Sequence, residues 1–217
     1  MRVADYKRFD MLNGPGIRHS LFVSGCRHRC DGCFNAAAWN FDYGELWTAA
    51  YADRVVADLR PERADGGAAW DGPPGRAKGG AACDMPPGAE DSGLGIGRQG
   101  NRDGDGAAGA RRGLRIDGLS LLGGEPFDNT DGLAALARTI RAECPGKTIW
   151  VWSGYTYEQL MAEPRQRELL VLCDVLVDGK YEASRRNLKL RWRGSDNQRI
   201  VDVPASLACG APMTLPY

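Results

Sequence analysis

Residues Ser24–Asn35 read SGCRHRCDGCFN and carry three cysteines at the spacing CxxxCxxC. A disulfide joins cysteines in pairs, a structural zinc ion usually takes four ligands, and an ordinary iron–sulfur cluster is held by four cysteines. Cys26, Cys30 and Cys33 therefore predict a metal centre with one coordination position open for a further ligand. A loop of this kind has to be held in place by the elements around it.

The composition favours an ordinary globular protein of the cytoplasm. The chain has 217 residues, 28 basic and 28 acidic side chains, a net charge of zero and a hydrophobic content of 43%. Zero net charge argues against binding nucleic acid through bulk electrostatics. Residues 1–10 lack the apolar core of a signal peptide, and no run reaches the roughly 20 apolar residues of a membrane-spanning helix. The seven cysteines are odd in number and only three cluster. Reduced thiols are therefore expected, and neither a membrane nor a nucleic acid is an expected partner.

Hydrophobic periodicity predicts an α/β fold. Strand-like segments alternate with amphipathic helical ones, which favours a mostly parallel sheet with right-handed crossovers. The predicted strands are RHSLFVSG, GLSLL, KTIWVW and CDVLVDGKYE, with QRIVDV as a possible last one. The predicted helices are ELWTAAYADRVVADLR, NTDGLAALARTIRAECPG with Asn129 or Thr130 as its cap, and a short helix opened by a Thr156–Gln159 capping box.

Polar turns follow the predicted strands. The cysteine loop follows the first, and the segments GGEP (123–126), SGY (153–155) and DGK (178–180) follow later ones. Because the carboxyl ends of parallel strands meet at one edge of a sheet, we expect these turns to lie together and to form the binding site.

The segment Gly66–Gly113 interrupts this pattern. It holds fifteen of the 29 glycines and shows no apolar periodicity. Ordering each such residue costs about 1–2 kcal/mol of backbone entropy, with little apolar surface to offset it. The sequence therefore predicts a long flexible surface insertion within a single domain of residues 1–217. Trp70 and Cys83, which lie in it, are expected to be incidental.

Two kinds of metal centre fit the cysteine loop. An iron–sulfur cluster needs thiolates, and Arg27 and Arg29 are expected to favour the deprotonated form of the three cysteines. A zinc site would instead recruit His28 or His19 as a fourth ligand. A thioredoxin-like pair of Cys30 and Cys33 leaves Cys26 without a role. Cys144, Cys173 and Cys209 are scattered along the chain, which implies no second cluster.

The cysteine triplet followed by GGEP resembles the radical S-adenosylmethionine (SAM) superfamily. Further segments resemble the activating proteins of anaerobic ribonucleoside-triphosphate reductase over nearly all of the chain outside the insertion. These segments are NGPGIRHSLFVSGCRHRCDGCFNAAAWNF, LSLLGGEPF, ECPGKTIWVWSGYTYEQL, DVLVDGKYE and RGSDNQRIVDV. The GPGIR part is shared with glycyl-radical activases generally, and RGSDNQR resembles the reductase activators in particular. The resemblance implies an incomplete (β/α) barrel.

The resemblance also implies the site residues. Cys26, Cys30 and Cys33 would hold three irons of one [4Fe-4S] cluster, and SAM would occupy the fourth. The residues expected to bind SAM are Gly32, Cys33, Phe34, Gly123, Gly124, Glu125, Ser153, Asp178 and Lys180. Gly32 stands where many radical SAM proteins have an aromatic residue, and Phe34 follows the last cysteine instead. No physical role follows from the sequence for the family-like residues Asn197, Gln198 and Arg199.

The implied activity is the formation of a glycyl radical on the reductase. Flavodoxin or a similar low-potential donor would supply an electron, SAM would be cleaved reductively, and a glycine α-carbon of the reductase would lose a hydrogen atom. A radical SAM enzyme acting on a small molecule, such as a deazapurine-type synthase, is the nearest alternative. A zinc-binding adaptor without catalytic activity is a more distant one.

The insertion provides a first test. Replacing Gly66–Gly113 with a short Gly/Ser linker should preserve the cluster and SAM cleavage, because loop-closure cost varies slowly with length. The connection also enters a strand at its amino end, away from the predicted site. Iron content and 5′-deoxyadenosine yield measure the outcome. A deletion variant that folds and binds its cluster but no longer cleaves SAM would make this segment a lid or a partner-docking element.

Overall fold

The computed structural model describes residues 1–60 and 115–217. The predicted insertion, with Trp70 and Cys83, lies outside these residues. The strands are β1 (Arg2–Asp10), β2 (Arg18–Val23), β3 (Glu45–Leu46), β4 (Gly118–Gly123), β5 (Thr148–Trp152), β6 (Val175–Asp178), β7 (Arg199–Asp202) and β8 (Met213–Thr214). The helices are α1 (Ala49–Leu59), α2 (Thr130–Glu143), α3 (Tyr157–Ala162), α4 (Pro164–Leu170) and α5 (Val203–Cys209).

The eight strands described form one sheet in the order β3-β1-β2-β4-β5-β6-β7-β8. The four central strands, β2, β4, β5 and β6, are parallel to one another. The outer pairs are antiparallel: β1 with β2 and β3, β6 with β7, and β7 with β8. The prediction of an α/β fold is confirmed, but the prediction of a mostly parallel sheet is wrong, since four of these seven pairings are antiparallel.

The difference has a physical reason. Alternation of apolar residues identifies a strand but not its direction, which depends on the connection before it. A helical crossover precedes β5 and β6, whereas a loop without such a crossover joins β6 to β7 and another joins β1 to β2. The polar strand β1 was not predicted. Pairing among the described residues ends at β3 and β8, so a barrel is not confirmed.

The two faces of the sheet are packed differently. One face is covered by α1–α4 around apolar side chains such as Leu21, Leu121, Val151 and Leu176. On the other face, Trp150 is the centre of a smaller cluster with Val175, Val177 and Ile200. Successive residues of a strand point to opposite faces, so Trp150 and Val151 of β5 belong to different clusters. Among the described residues, no helix has the length and apolarity required to cross a membrane.

Arg18 connects the parallel strands on the Trp150 face. Its buried guanidinium donates hydrogen bonds to the Ser120 hydroxyl, the Leu119 carbonyl and both oxygens of Thr148, at 2.8–2.9 Å. It also lies 5.7 Å from the ring of Trp150. Burial lowers the pKa of Arg18 to about 9. Arg18 begins β2, so this network lies at the end of the parallel strands opposite the cysteine loop.

The predicted cap residues are found at the starts of two helices, with a side-chain cap bond at only one of them. Thr156 and Gln159 form the predicted capping box of α3. Asn129 occupies the cap position of α2 but makes no side-chain cap bond. Its amide instead donates to the carbonyls of Ser24 and Glu125, both at 3.0 Å. The start of α2 is therefore bonded to the first residue of the cysteine loop and to the turn after β4.

Candidate functional site

The cysteine loop follows β2 at the carboxyl edge of the parallel strands, as predicted. The backbone N–H of Gly25 donates to the Ala38 carbonyl at 2.8 Å, and that of Cys26 donates to the Trp39 carbonyl. These bonds anchor the loop to the short 3₁₀ turn at Ala36–Trp39. Gly25 has φ +95°, and a side chain there would collide with the ring of Phe41. The start of the loop is thus held against the turn that follows its last residue.

The three thiols lie in a partly desolvated environment. Cys26 and Cys30 are buried and Cys33 is half-buried. Burial raises the pKa of the Cys26 thiol to about 11, against hydrogen bonds from the N–H groups of His28 and Arg29. The Asn35 N–H lies 3.4 Å from the Cys33 sulfur. Backbone N–H groups directed at sulfur are a usual feature of protein iron–sulfur sites.

The charges of Arg27 and Arg29 are not among the main influences on the pKa of Cys26 or Cys30, and Arg29 acts on Cys26 through its backbone N–H. Their effect as charges stays a prediction. The guanidinium of Arg27 pairs with Asp128 at 3.1 Å and does not act strongly on the thiols. Burial raises the pKa of Cys30, and the charge of Lys180 is the strongest influence in the opposite direction. The cation that favours a thiolate at Cys30 therefore comes from the turn after β6 and not from the cysteine loop.

The donor set fits an iron–sulfur cluster better than a zinc ion. His19 is buried in β2, where its Nε2 lies 3.3 Å from the Asp58 carbonyl. His28 Nε2 lies 3.0 Å from Glu125 Oε2, without the alignment of a hydrogen bond. Neither imidazole is therefore directed at the three sulfurs. In residues 1–60 and 115–217, no three His, Cys, Asp or Glu side chains could hold one metal ion. In a cluster each thiolate binds a separate iron, so the sulfurs need not meet at one point.

Glu125 joins the turn after β4 to the turn after β5. Its carboxylate accepts hydrogen bonds from the Phe127 N–H at 3.0 Å, the Ser153 hydroxyl at 2.9 Å and the Gly154 N–H at 2.8 Å. The residue is 1% exposed. Because both oxygens are bound by protein donors, the structure shows Glu125 as a support for these turns. Direct contact of Glu125 or Ser153 with SAM stays a prediction.

The glycine turn packs directly against the cysteine loop. The Gly124 N–H donates to the Val23 carbonyl at 2.7 Å, and the Glu125 N–H donates to the Gly25 carbonyl at 2.8 Å. A Cβ on Gly124 would lie 2.5 Å from the Gly25 carbonyl oxygen. Gly123 has φ +106° and faces the backbone of β2 at similarly short distances. Both glycines are thus required by backbone contact within the protein.

A second carboxylate, Asp178, supports the turn after β6. It is buried and accepts hydrogen bonds from the Tyr157 N–H at 2.7 Å and from two nitrogens of the Arg199 guanidinium. Arg199 also forms a bidentate pair with Glu158, whose pKa its hydrogen bonds lower to about 2. Both oxygens of Asp178 therefore accept hydrogen bonds from within the protein. Direct contact of Asp178 with SAM stays a prediction.

The RGSDNQR segment binds the backbone of the DGK turn. The Asn197 amide donates to the Lys180 carbonyl at 2.7 Å, and the Gln198 amide donates to the Gly179 carbonyl at 2.9 Å. The Gln198 oxygen accepts from the Gly194 and Ser195 N–H groups. Together with the Arg199–Asp178 pair, these bonds explain the role of Asn197, Gln198 and Arg199, which the sequence alone did not reveal. They hold the turn that carries Lys180.

The far side of that turn meets the cysteine loop. A Cβ on Gly32 would have Ala183 and Tyr181 as its nearest neighbours, at 3.6 and 3.8 Å. The ring centroids of Phe34 and Tyr181 are 6.1 Å apart. Gly32 and Lys180 are thus brought together with the cysteines, whereas Phe34 remains 72% exposed.

Tyr155 is a site residue that sequence reasoning missed. Its ring packs edge-on against His28 with centroids 4.3 Å apart, and its hydroxyl donates to Asp128 at 3.1 Å. Asp128 also accepts from the backbone N–H and guanidinium of Arg27. The position of Tyr155 in the SGY turn, three residues after the end of β5, was the available signal.

Comparison with known protein families agrees with this site. A family model described as a 4Fe-4S single cluster domain matches residues 12–72 and 108–201. The chain therefore has the fold elements and the cysteine loop of an iron–sulfur protein with one cluster.

Individual relatives are more specific. The chain is 35% identical over 202 residues to the anaerobic ribonucleoside-triphosphate reductase-activating protein of Salmonella typhi, an alignment covering 92% of this chain and 97% of the relative. It is 34% identical, with the same coverage, to the protein of that name from Escherichia coli strain K12. The protein of that name from enterobacteria phage T4 is 31% identical, over 88% of this chain and 87% of its own length. The chain belongs to the family of anaerobic ribonucleoside-triphosphate reductase-activating proteins.

The ligand assignment predicts a clear difference between cysteines. Cys30→Ala should reduce the iron content and visible absorption of the anaerobically reconstituted protein to background, because two thiolates cannot hold the cluster. Cys144→Ala is the matched control, since Cys144 is buried among the side chains that cover the helical face. It should retain full iron content. A brown, iron-replete Cys30→Ala protein would refute the assignment.

The glycine turn predicts a second difference. Gly124→Ala should push the Gly25 carbonyl away, lower the free energy of unfolding by about 2 kcal/mol and reduce iron retention. Gly146→Ala is the control: it introduces a Cβ with nothing within 4 Å and carries only the strain of φ +81°. Iron per chain and thermal denaturation measure both effects. Full iron retention and wild-type stability in Gly124→Ala would contradict this, because they would show that the turn and the loop can move apart to admit a Cβ without cost.

Proposed function

We propose that this chain is a radical SAM enzyme that forms a glycyl radical on an anaerobic ribonucleoside-triphosphate reductase. Its relatives are named as activating proteins of that reductase. The observation that carries the proposal is the position of the cysteine loop. It packs against the Gly123–Glu125 turn on one side and the Lys180–Ala183 segment on the other.

The donor set allows three irons to be bound by the protein and one to stay open. Cys26, Cys30 and Cys33 would hold the cluster, while Cys144 and Cys173 lie in the apolar core. When bound, a [4Fe-4S] cluster supplies one electron to the sulfonium of SAM, whose carbon–sulfur bond breaks to give methionine and a 5′-deoxyadenosyl radical. A glycine of the reductase then loses a hydrogen atom from its α-carbon, which leaves 5′-deoxyadenosine and a glycyl radical.

The other site residues divide by task. We assign Gly32, Phe34, Gly124 and Lys180 to the surface that SAM contacts, because the first two lie in the cysteine loop and the other two lie in turns that pack against it. Glu125, Ser153 and Asp178 hold the turns in position through hydrogen bonds within the protein. The chain thereby supplies geometry and exclusion of water, and the cofactors supply the chemistry.

The proposal includes an electron donor and a compartment. A low-potential one-electron carrier such as flavodoxin supplies the reducing equivalent, since SAM cleavage consumes one electron per turnover. Cys26, Cys30, Cys33, Cys144 and Cys173 are thiols. We place the protein in the cytoplasm, whose reducing environment keeps such cysteines as thiols.

Isotope transfer tests the proposal directly. The reductase is produced with glycine deuterated at the α-carbon and mixed anaerobically with reconstituted protein, SAM and dithionite. We expect 5′-deoxyadenosine that carries one deuterium, together with the electron paramagnetic resonance signal of a glycyl radical on the reductase. A reductase with its radical-site glycine replaced by alanine should give neither result.

The same experiment separates the alternatives. SAM cleavage whose product never carries deuterium, with no radical on the reductase, would favour a radical SAM enzyme that acts on a small molecule. A colourless protein that takes up zinc but not iron and sulfide would instead favour a zinc-binding adaptor without catalytic activity.

A further inference from the structure

A strongly basic surface borders the cysteine loop. Residues 180–193 contain six basic residues and one acidic residue, a net charge of +5 in a chain whose total is zero. Lys180, Arg185, Arg186, Lys189 and Arg191 from this segment are all exposed. We call these five residues the basic rim. Its acidic member, Glu182, neutralises little of this charge, since its pair with Arg185 is exposed and 3.7 Å long.

The basic rim has a defined structure. Its backbone is paired with the RGSDNQR segment through a bridge between Arg186 and Ser195. The Asp196 N–H donates to the Arg185 carbonyl at 3.0 Å, and the Asn187 N–H donates to the Gly194 carbonyl at 3.1 Å. The positive charges are therefore presented on a braced loop, which reduces the entropy lost when a partner binds.

The basic rim lies next to the predicted cluster ligands. The guanidinium of Arg186 is 5.5 Å from the ring of Phe34, the residue that follows Cys33. A Cβ on Gly32, between Cys30 and Cys33, would lie 3.6 Å from Ala183 and 3.8 Å from Tyr181 of the same segment. A protein bound to the rim would thus lie beside the cysteine loop.

Two apolar side chains stand among these charges. Leu188 is 81% exposed and Phe34 is 72% exposed. A small patch with a few apolar contacts and a surrounding field of one sign is typical of transient redox encounters, which are small and steered by charge.

We propose that the basic rim, with Phe34 and Leu188, is the docking surface for an acidic protein that carries one electron to the cluster. The inference rests on the proposed function. The reduced carrier loses one electron, the cluster gains it, and the carrier leaves in its one-electron-oxidised form. Charge complementarity supplies the orientation, and the weak apolar contact allows rapid release.

An electron carrier fits this surface better than the reductase does. The reductase has to bring a glycine α-carbon to SAM, which the turns after β2, β4, β5 and β6 would hold. Lys180 and Phe34 stand where that site meets the rim, and the test below leaves both unchanged. The carrier only has to approach the cluster, and the rim offers an open, charged surface there. The reductase is thus the competing occupant, and the experiment includes it.

The test compares two sets of three charge reversals. Arg185→Glu, Lys189→Glu and Arg191→Glu are combined in one variant, which leaves Arg186 and Lys180 untouched beside the cysteine loop. Arg54→Glu, Arg138→Glu and Arg167→Glu form the control, since these are equally exposed arginines on α1, α2 and α4. Calorimetry measures the binding of an acidic flavodoxin and of an acidic ferredoxin to each reconstituted protein, at low and high salt. Reduction of the cluster by each carrier and by dithionite is followed by absorbance.

We expect the affinity for the carrier to fall about tenfold or more in the rim variant. In the control variant the affinity should change by no more than about twofold. Carrier-driven cluster reduction should slow in parallel, whereas reduction by dithionite should not change. A second rim variant with glutamine at the same three positions should give an intermediate loss. Wild-type binding should weaken as salt rises.

Three outcomes would overturn the proposal. The first is unchanged carrier binding in the rim variant, and the second is failure of both acidic carriers to bind or reduce the wild type. The third is weakened binding of the reductase with unchanged binding of the carrier, which would assign the rim to the reductase. Failure of the wild type to cleave SAM with dithionite would instead refute the proposed function, while carrier binding could still be measured.

Discussion

Glu125 carries a buried carboxylate whose oxygens accept hydrogen bonds from Phe127, Ser153 and Gly154. A charge removed from water is costly unless protein donors replace its hydration, so these groups must come together when the chain folds. The carboxyl ends of β4 and β5 are thereby fixed to each other. The same carboxylate has His28 of the cysteine loop beside it at 3.0 Å. The backbone N–H of Glu125 also donates to the Gly25 carbonyl at 2.8 Å, so this residue joins the two turns to the cysteine loop.

Asp178 repeats the arrangement on the other side of the loop. It is bound by Arg199 and Tyr157, and the segment before Arg199 holds the backbone of the following turn. Removing one partner of such a buried pair leaves an uncompensated charge, which is strongly destabilising. Each of the two carboxylates therefore holds a turn that packs against the cysteine loop, Glu125 on one side and Asp178 on the other. The basic rim extends from the turn that Asp178 holds.

Much of this could be predicted from the sequence, for identifiable reasons. The strands β4, β5 and β6 are rich in apolar residues, β2 ends in the apolar residues Leu21–Val23, and the turns after all four are polar, so their shared edge was predictable. The direction of β7 was not, because periodicity does not encode it. The segment Asn197–Arg199 matched a family pattern without a mechanism, since its partners lie about 20 residues away in the chain and meet it only through folding. The pairing of Arg27 with Asp128 could not be predicted either, because the two residues are distant in sequence.

The central claim is that three thiolates hold a cluster with one open iron that SAM occupies. Mössbauer spectroscopy of iron-labelled, anaerobically reconstituted protein tests it directly, because each iron site contributes its own isomer shift and quadrupole splitting. We expect SAM to change the signal of one iron in four and to leave the other three unaltered. Four irons that respond identically, or not at all, to SAM would contradict the account.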